Sequence, residues 1–517
     1  MASWELIILV LSSSVASGGY SGFLWGFIVT SLLYAPVVLS LAEMESMAPT
    51  SGGQYHWVSE FSPPKYQKQL SYASGWMLTL SWLATQTAGP FLTVTLINTL
   101  INVTNPDYSF TSWQYTLIML AVIASTILFN TWAATILPAI EAFALYIHVL
   151  GFFIVIISLW VCGPKGTAKE VFITFTAENG WNLGAALLLT QVNSFYCILG
   201  SVLRPRLGDQ DEYRRKRITG LGRTTFFVVD VYIETSTHVI RSVVNTRPVF
   251  QHSDTAVHIS EEVKDAGTVV PRCMWWSYVL NFVMALVTLI TMLFTWGPID
   301  DALNADTPYL ILFQNIPVGV ALLMLIVIFI LIYIGNVTTL VTVSRQTWAF
   351  ARDRGFPFSK WITKMDHKRA LPFNSVYLTS VLSGVLCLIN LGSTLAFNII
   401  VSLSLLALLS TYTMSVGCIF WRRPTNQPLP PARWSLGKWG IWINGAGFAY
   451  SIFAMIWCCF PTTLPVDASS ANYGPAIWGG VILLAVVMYI FHGRKHYTPP
   501  VDFVEGRRNP SVGIQHI

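Results

Sequence analysis

The sequence predicts an all-α protein that crosses a membrane about twelve times. Three observations carry that reading. The chain of 517 residues is 54% hydrophobic and 11% charged, with a mean hydropathy of +0.57; a soluble globular chain carries about 25% charged residues. Apolar runs of about 20 residues, enough to cross the hydrocarbon core, recur from end to end. The basic residues gather in alternate loops. A membrane β-barrel would show alternating segments of about ten residues instead.

The predicted spans, in order, are 3–17, 22–47, 71–101, 113–133, 139–161, 183–200, 275–296, 309–344, 374–393, 395–420, 439–460 and 474–492. The fragment 253–260 is taken to complete the span that stops at Gly200. Charge orients them. Arg345, Arg352, Arg354, Lys360, Lys364, Lys368 and Arg369 follow the eighth span. Arg422, Arg423, Arg433 and Lys438 follow the tenth, and Arg494, Lys495, Arg507 and Arg508 lie in the tail. The intervening loops hold Asp107, then Asp300, Asp301 and Asp306, then Asp467; the loop with Lys165 and Lys169 is the exception. The positive-inside rule assigns the basic set, and with it both termini, to the cytosol. The sequon Asn102-Val103-Thr104 then falls outside, whereas Asn336-Val337-Thr338 falls within a span. The first apolar run has no basic leader and passes straight into another span, so no cleavable signal peptide is expected. The 7 cysteines show no metal spacing or disulfide framework and read as small apolar packing residues.

Three stretches stand out. In Ser40–Phe61 an apolar helix ends in Glu43 and Glu45, Pro49 stops it, and Gly52-Gly53 permits tight re-entry into the next helix. The two carboxylates, at i and i+2, do not share a helix face and form no acid–base pair. In Ser344–Trp361, aromatic residues mix with Arg345, Arg352 and Arg354, which predicts a short amphipathic segment on the membrane surface. In 253–272, Asp254 precedes Thr255-Ala256-Val257-His258, then Glu261-Glu262, Asp265 and Pro271-Arg272. Those carboxylates are also consistent with a solvated helix end.

Together these stretches resemble the amino acid–polyamine–organocation transporter superfamily, in particular its fungal amino acid/choline permease branch, which includes 4-aminobutyrate permeases. The likeness is carried by Ala42-Glu43-Met44, by Pro49 to Trp57, by Gly75-Trp76, by Ser253 to Ala266, and by Phe350-Ala351-Arg352-Asp353 with Gly355 and Pro357. It covers about 3–200 and 253–500. The resemblance implies two inverted repeats of five helices followed by two further helices, with 501–517 as a cytosolic tail. It also implies that the first and sixth helices are broken near the midplane. Unwound backbone and half-helix dipoles there would hold the substrate's carboxylate and amine. Carried over, the break in the sixth helix falls at Ile198-Leu199-Gly200 and Ser253-Asp254-Thr255-Ala256. Asp254 is an intramembrane carboxylate, a functional candidate in itself. Asn336, Thr338 and Thr339 on the eighth helix lie nearest the implied ion position. Trp82 and Gln86 on the third are pocket candidates, with helix packing as their other reading. His148 on the fifth is a candidate proton relay, with hydrogen-bonded packing as the alternative.

The chain departs from the family in two places. Its first apolar run, Ala2 to Ala16, is about fifteen residues, short of a comfortable span. The unwound part of the first helix would fall at or before Met1, leaving Ser12, Ser13, Ser14 and Gly18-Gly19 nearby. The sixth span is interrupted by 201–252, which holds Arg204, Arg206, Arg214, Arg215, Lys216, Arg217, Arg223, Arg241 and Arg247. Each arginine kept in the bilayer would cost at least about 2.5–3.5 kcal/mol. Without this segment, Leu183 to Ile259 becomes one apolar stretch of about 25 residues, right for a tilted or broken span. The segment is therefore expected to be foreign to the ancestral fold, a retained intron or gene-model error, with a tolerated regulatory loop as the alternative.

The function expected from the resemblance is secondary transport of an amino acid or amine, such as 4-aminobutyrate or choline, by alternating access. A proton is the expected coupling ion and the plasma membrane the expected location, with the vacuolar membrane as the alternative. A transport-inactive receptor or remnant of the same fold is the second reading. No nucleophile–base pair, metal cluster or phosphate loop points to an enzyme, and neither a cofactor nor a nucleic-acid partner is expected.

Overall fold

The computed structural model describes residues 4–106, 108, 110–198, 257–263, 265–298, 312–366, 371–392, 396–425, 427–466 and 471–503. Among them the architecture is helical, and the one β pairing is an isolated bridge between Asp366 and Leu371. Nine helices of the described residues are long and apolar enough to cross a membrane. Their outward faces are apolar: on the fifth helix Leu150, Phe153, Ile157 and Val161 are exposed, and near the end of the chain Leu483, Val487 and Phe491. So much exposed apolar surface suits lipid as the solvent.

Helix α1 (Trp4–Met47) joins the first two predicted spans across a break at Gly19, whose φ of 70° lies in the left-handed region. A side chain there would meet Thr176, because the backbone of 174–178 lies against the break and the Glu178 N–H donates to the Ala16 carbonyl at 3.0 Å. Helix α2 (Gln54–Phe61) is the short re-entrant segment, and all eight of its residues are buried. Helix α3 (Gln67–Thr104) is long but too polar to pass for a lipid-facing span: Ser71, Ser74, Thr79, Ser81, Thr85, Gln86, Thr87 and Thr93 are all buried. Protein rather than lipid surrounds it, so polar residues are tolerated.

Helices α4 (Ser112–Thr131), α5 (Leu137–Cys162), α6 (Ala168–Phe172) and α7 (Leu183–Ile198) follow. A 3-10 segment, Val257–Glu262, precedes α8 (Ala266–Thr295). Then come α9 (Val318–Arg352), α10 (Phe373–Cys387), α11 (Ala396–Arg422), α12 (Gly440–Trp457) and α13 (Gly474–Met488). The packing falls into two groups: α1 lies against α7, α8 and α12, while α3 lies against α4, α9, α10 and α11.

The stretch expected to lie on the membrane surface is buried in its first half, while Phe358 and Trp361 at its end are exposed. Helix α9 continues to Arg352, with Gln346, Thr347, Ala349, Phe350 and Ala351 buried. The Phe350 ring sits 5.3 Å from Tyr55, 5.8 Å from Tyr72, 5.0 Å from Phe356 and 5.8 Å from Tyr497. Phe350 and Phe356 thus belong to a packed plug between helix ends.

Candidate functional site

The charged residues at the helix ends meet on one face. Glu43, 1% exposed in the last turn of α1, is paired with Arg423 and accepts from the Leu436 N–H at 2.9 Å. The Arg422 guanidinium donates to the Glu60 carbonyl at 2.6 Å. Asp265, ahead of α8, is paired with Arg433, both exposed. Tyr55 on α2 donates its phenol to Asp353 Oδ2 at 2.8 Å, and burial together with that carboxylate pushes the phenol well above its ordinary pKa, keeping it a donor. The sequence motifs around Glu43, Tyr55 and Asp353 are therefore one buried polar junction joining α1, α2, α9 and α11.

Above this junction, Trp82 on α3 meets His258 of the 3-10 segment. The Trp82 indole N–H donates to His258 Nε2 at 3.1 Å, and the rings are 5.4 Å apart at 83°. His258 Nδ1 lies 2.9 Å from the Ser51 carbonyl, and the imidazole is fully buried. An indole only donates and a carbonyl only accepts, so this geometry requires the neutral imidazole with its proton on Nδ1. Gly53 makes room for it: its φ is 57°, and a Cβ there would stand 3.0 Å from His258 Cε1. Trp82 thus ties α3 to the 3-10 segment ahead of α8.

Gln86 lies one turn further along α3, about 6 Å up the axis. Its side chain is buried, and neither amide atom has a hydrogen-bond partner among the described residues. A buried amide without partners costs free energy unless a ligand or water satisfies it. Beside it, Thr85 and Ser404 on α11 share a hydroxyl–hydroxyl bond of 2.6 Å.

The remaining candidates separate. Of the sixth-helix break, Ile198 ends α7, and Leu199, Gly200, Ser253, Asp254, Thr255 and Ala256 lie outside the described residues. Asn336 is buried on α9 and donates to Thr93 Oγ1 on α3 at 2.5 Å. The hydroxyls of Thr338 and Thr339 return to their own helix, donating to the Gly335 carbonyl at 2.9 and 2.8 Å. His148 is elsewhere: its Nδ1 lies 2.6 Å from Oε1 of Glu5 on α1, and both side chains are fully buried. Among the described residues no cluster of His, Cys, Asp or Glu is arranged to hold a metal ion.

Sequence reasoning missed Glu5 and gave His258 no role. Glu5 was findable as an acid inside an apolar run, "SWELIILVL". The role of His258 depends on tertiary partners at Ser51 and Trp82, which no local pattern encodes.

Comparison with known proteins identifies the family. A Macrophomina phaseolina protein named for amino acid/polyamine transport is 26% identical over 485 residues, 92% of this chain and 95% of the relative. The choline transporter of Saccharomyces cerevisiae is 24% identical over 507 residues, 96% of this chain and 79% of the relative. The swainsonine transporter of Arthroderma benhamiae is 22% identical over 497 residues, 95% of this chain and 88% of the relative. The family model for amino acid permeases matches residues 3–203 and 217–486. With so much of its length matched, the chain belongs to the amino acid permease family.

Proposed function

We propose that this protein is a secondary transporter that carries an amino acid or related amine across a membrane by alternating access, with a proton as the coupling ion. The observation that carries the reading is the closed contact of His258 with Trp82 lying one helical turn from Gln86. A transporter needs a pocket with unmet polar capacity and a gate beside it, and this arrangement offers both. The gate joins the 3-10 segment, which packs on both α8 and α9, to α3, which packs on α9, α10 and α11. Rocking the α1, α7 and α8 group against the α3, α4, α9 and α10 group would part these residues. In this reading Ile198 to Gly200 and Ser253 to Ala256 supply backbone donors and acceptors to the substrate. The face carrying Arg422, Arg423 and Arg433 points to the cytosol by the positive-inside rule, with the plasma membrane as the site of action.

An uptake screen tests the reading: cells lacking their own permeases express the chain and are offered labelled amino acids, 4-aminobutyrate, choline and polyamines at several pH values. Uptake of at least one is expected, and Gln86→Leu raises its KM by about tenfold, the loss of one hydrogen bond to a charged group. No uptake across the panel would exclude transport. Within the same reading, 201–252 is foreign to the transporter, although the family match resumes within it, at residue 217. The mature transcript is expected to lack its codons; a message encoding Arg204 to His252 in frame with both flanks would overturn that.

A further inference from the structure

We propose that Glu5 and His148 together form the site that binds the transported proton, a proposal that rests on the transport reading and adds the place where the proton is held. Glu5 Oε1 and His148 Nδ1 are 2.6 Å apart, with 0% of either side chain exposed. They lie on the first and fifth predicted spans, inside apolar runs. Aromatic rings flank the pair. The Trp4 ring lies 5.8 Å from the imidazole and 6.3 Å from Phe152. At Gly151, one turn from His148, a side chain would press on Val327 of α9 and approach Trp4. Helices α1, α5 and α9 therefore converge around the pair.

An ionised carboxylate alone in such a place is very costly. With one proton between them the two groups are neutral overall: an imidazolium beside a carboxylate, or an imidazole beside a carboxylic acid. Without that proton the site carries one negative charge. Sealing the pair between α1 and α5 is thus linked to holding a proton, and losing the proton favours an arrangement that lets water in. The proton enters from the acidic side, is shared between Nδ1 and Oε1, and leaves to the alkaline side; nothing is oxidised or reduced.

Other titratable groups on the packed helices are set apart from it. Glu141 is buried on the same stripe of α5, seven residues earlier and about 10 Å along the axis. Helix α8 carries Arg272, Cys273 and Tyr278, the last donating to the Ser31 carbonyl. Helix α9 carries Tyr333, which donates to Ser125, and Arg345 and Arg352 near its end. Among the described residues the pair is therefore the place on α1 where a carboxylate and a histidine are in hydrogen-bond contact.

The test uses the full chain purified into liposomes, with the substrate found in the uptake screen and an imposed gradient of one pH unit. One coupled proton sustains up to about a tenfold accumulation across that gradient. Glu5→Gln and His148→Gln are each expected to drop the ratio to about one while exchange of labelled for unlabelled substrate continues; Glu5→Asp keeps accumulation. Accumulation at the wild-type level in either glutamine variant overturns the proposal. A second readout needs no transport. The acid-minus-alkaline infrared spectrum of the wild-type protein in lipid is expected to carry carboxyl and imidazole bands that each single variant removes together. Loss of only the substituted residue's own band overturns the pairing. A wild-type chain that moves nothing defeats the transport reading, while the spectra still report on the pair.

Discussion

Among the described residues two histidines are fully buried, and they are wired in opposite ways. His148 faces a carboxylate, whereas His258 stands between the Trp82 indole and the Ser51 carbonyl. A proton added to His148 strengthens its contact, since a cation beside Glu5 is better bound than a neutral ring. A proton added to His258 Nε2 sets two N–H donors face to face and breaks the contact with Trp82. One site can keep a proton and stay closed; the other is closed only while neutral. Burial and residue type are the same in both, so the neighbour decides the role.

The largest predicted effect separates the pair from the gate. Glu5→Ala leaves His148 buried without its acid and should lower stability by about 3–5 kcal/mol, read by unfolding in detergent. Replacing both by apolar residues, as in Glu5→Leu with His148→Met, should be far milder. Equal losses in the single and double variants would show that the two do not form a unit. Next, Gly53→Ala imposes a side chain at φ 57° against the His258 ring. A loss of about 1–3 kcal/mol is expected, with a faster rate of access from the cytosolic face. No change in either would mean that the ring is free to move aside.

Smaller still is Trp82→Phe, which keeps the ring and removes the N–H. Losing that bond should cost about 1 kcal/mol. A cysteine placed at Gln86 should then react with a cytosolic thiol reagent about fivefold faster, as that free energy implies. An unchanged rate would remove Trp82 from the gate. The smallest effect is at the exposed Arg433–Asp265 pair, where Arg433→Gln should change stability by less than about 1 kcal/mol. Arg423→Gln, which strips the partner from buried Glu43, should cost more, and the reverse order would contradict the burial argument.

Much of this was legible in the sequence. Hydropathy located the helices because each must satisfy its backbone internally, whichever fold it joins. The re-entrant turn was legible in Pro49 and Gly52-Gly53, since backbone conformation is a local property. What local patterns could not supply was partners. Glu5 lies 143 residues from His148, and five of the next five residues are apolar, so the run reads as an ordinary span. The aromatic residues after Ser344 have the composition of an interfacial segment, and only its packing against Tyr55 and Tyr497 makes Phe350 part of a plug while Phe358 and Trp361 stay exposed. Asn336, Thr338 and Thr339 shared a polar motif, yet Asn336 reaches across to Thr93 while the threonines bond back to Gly335. Gln86 and Trp82 looked alike as polar-capable pocket residues four positions apart. Only the fold distinguishes the one whose indole is bonded to His258 from the one whose amide is unsatisfied.

The most direct test of the contrast is a simultaneous measurement of substrate and proton entry into liposomes holding the wild-type chain, His148→Gln or His258→Gln. The account predicts that His148→Gln exchanges substrate without moving protons, and that His258→Gln still moves both together but leaks substrate when no gradient is present. Loss of proton entry in His258→Gln with coupled entry intact in His148→Gln would contradict it.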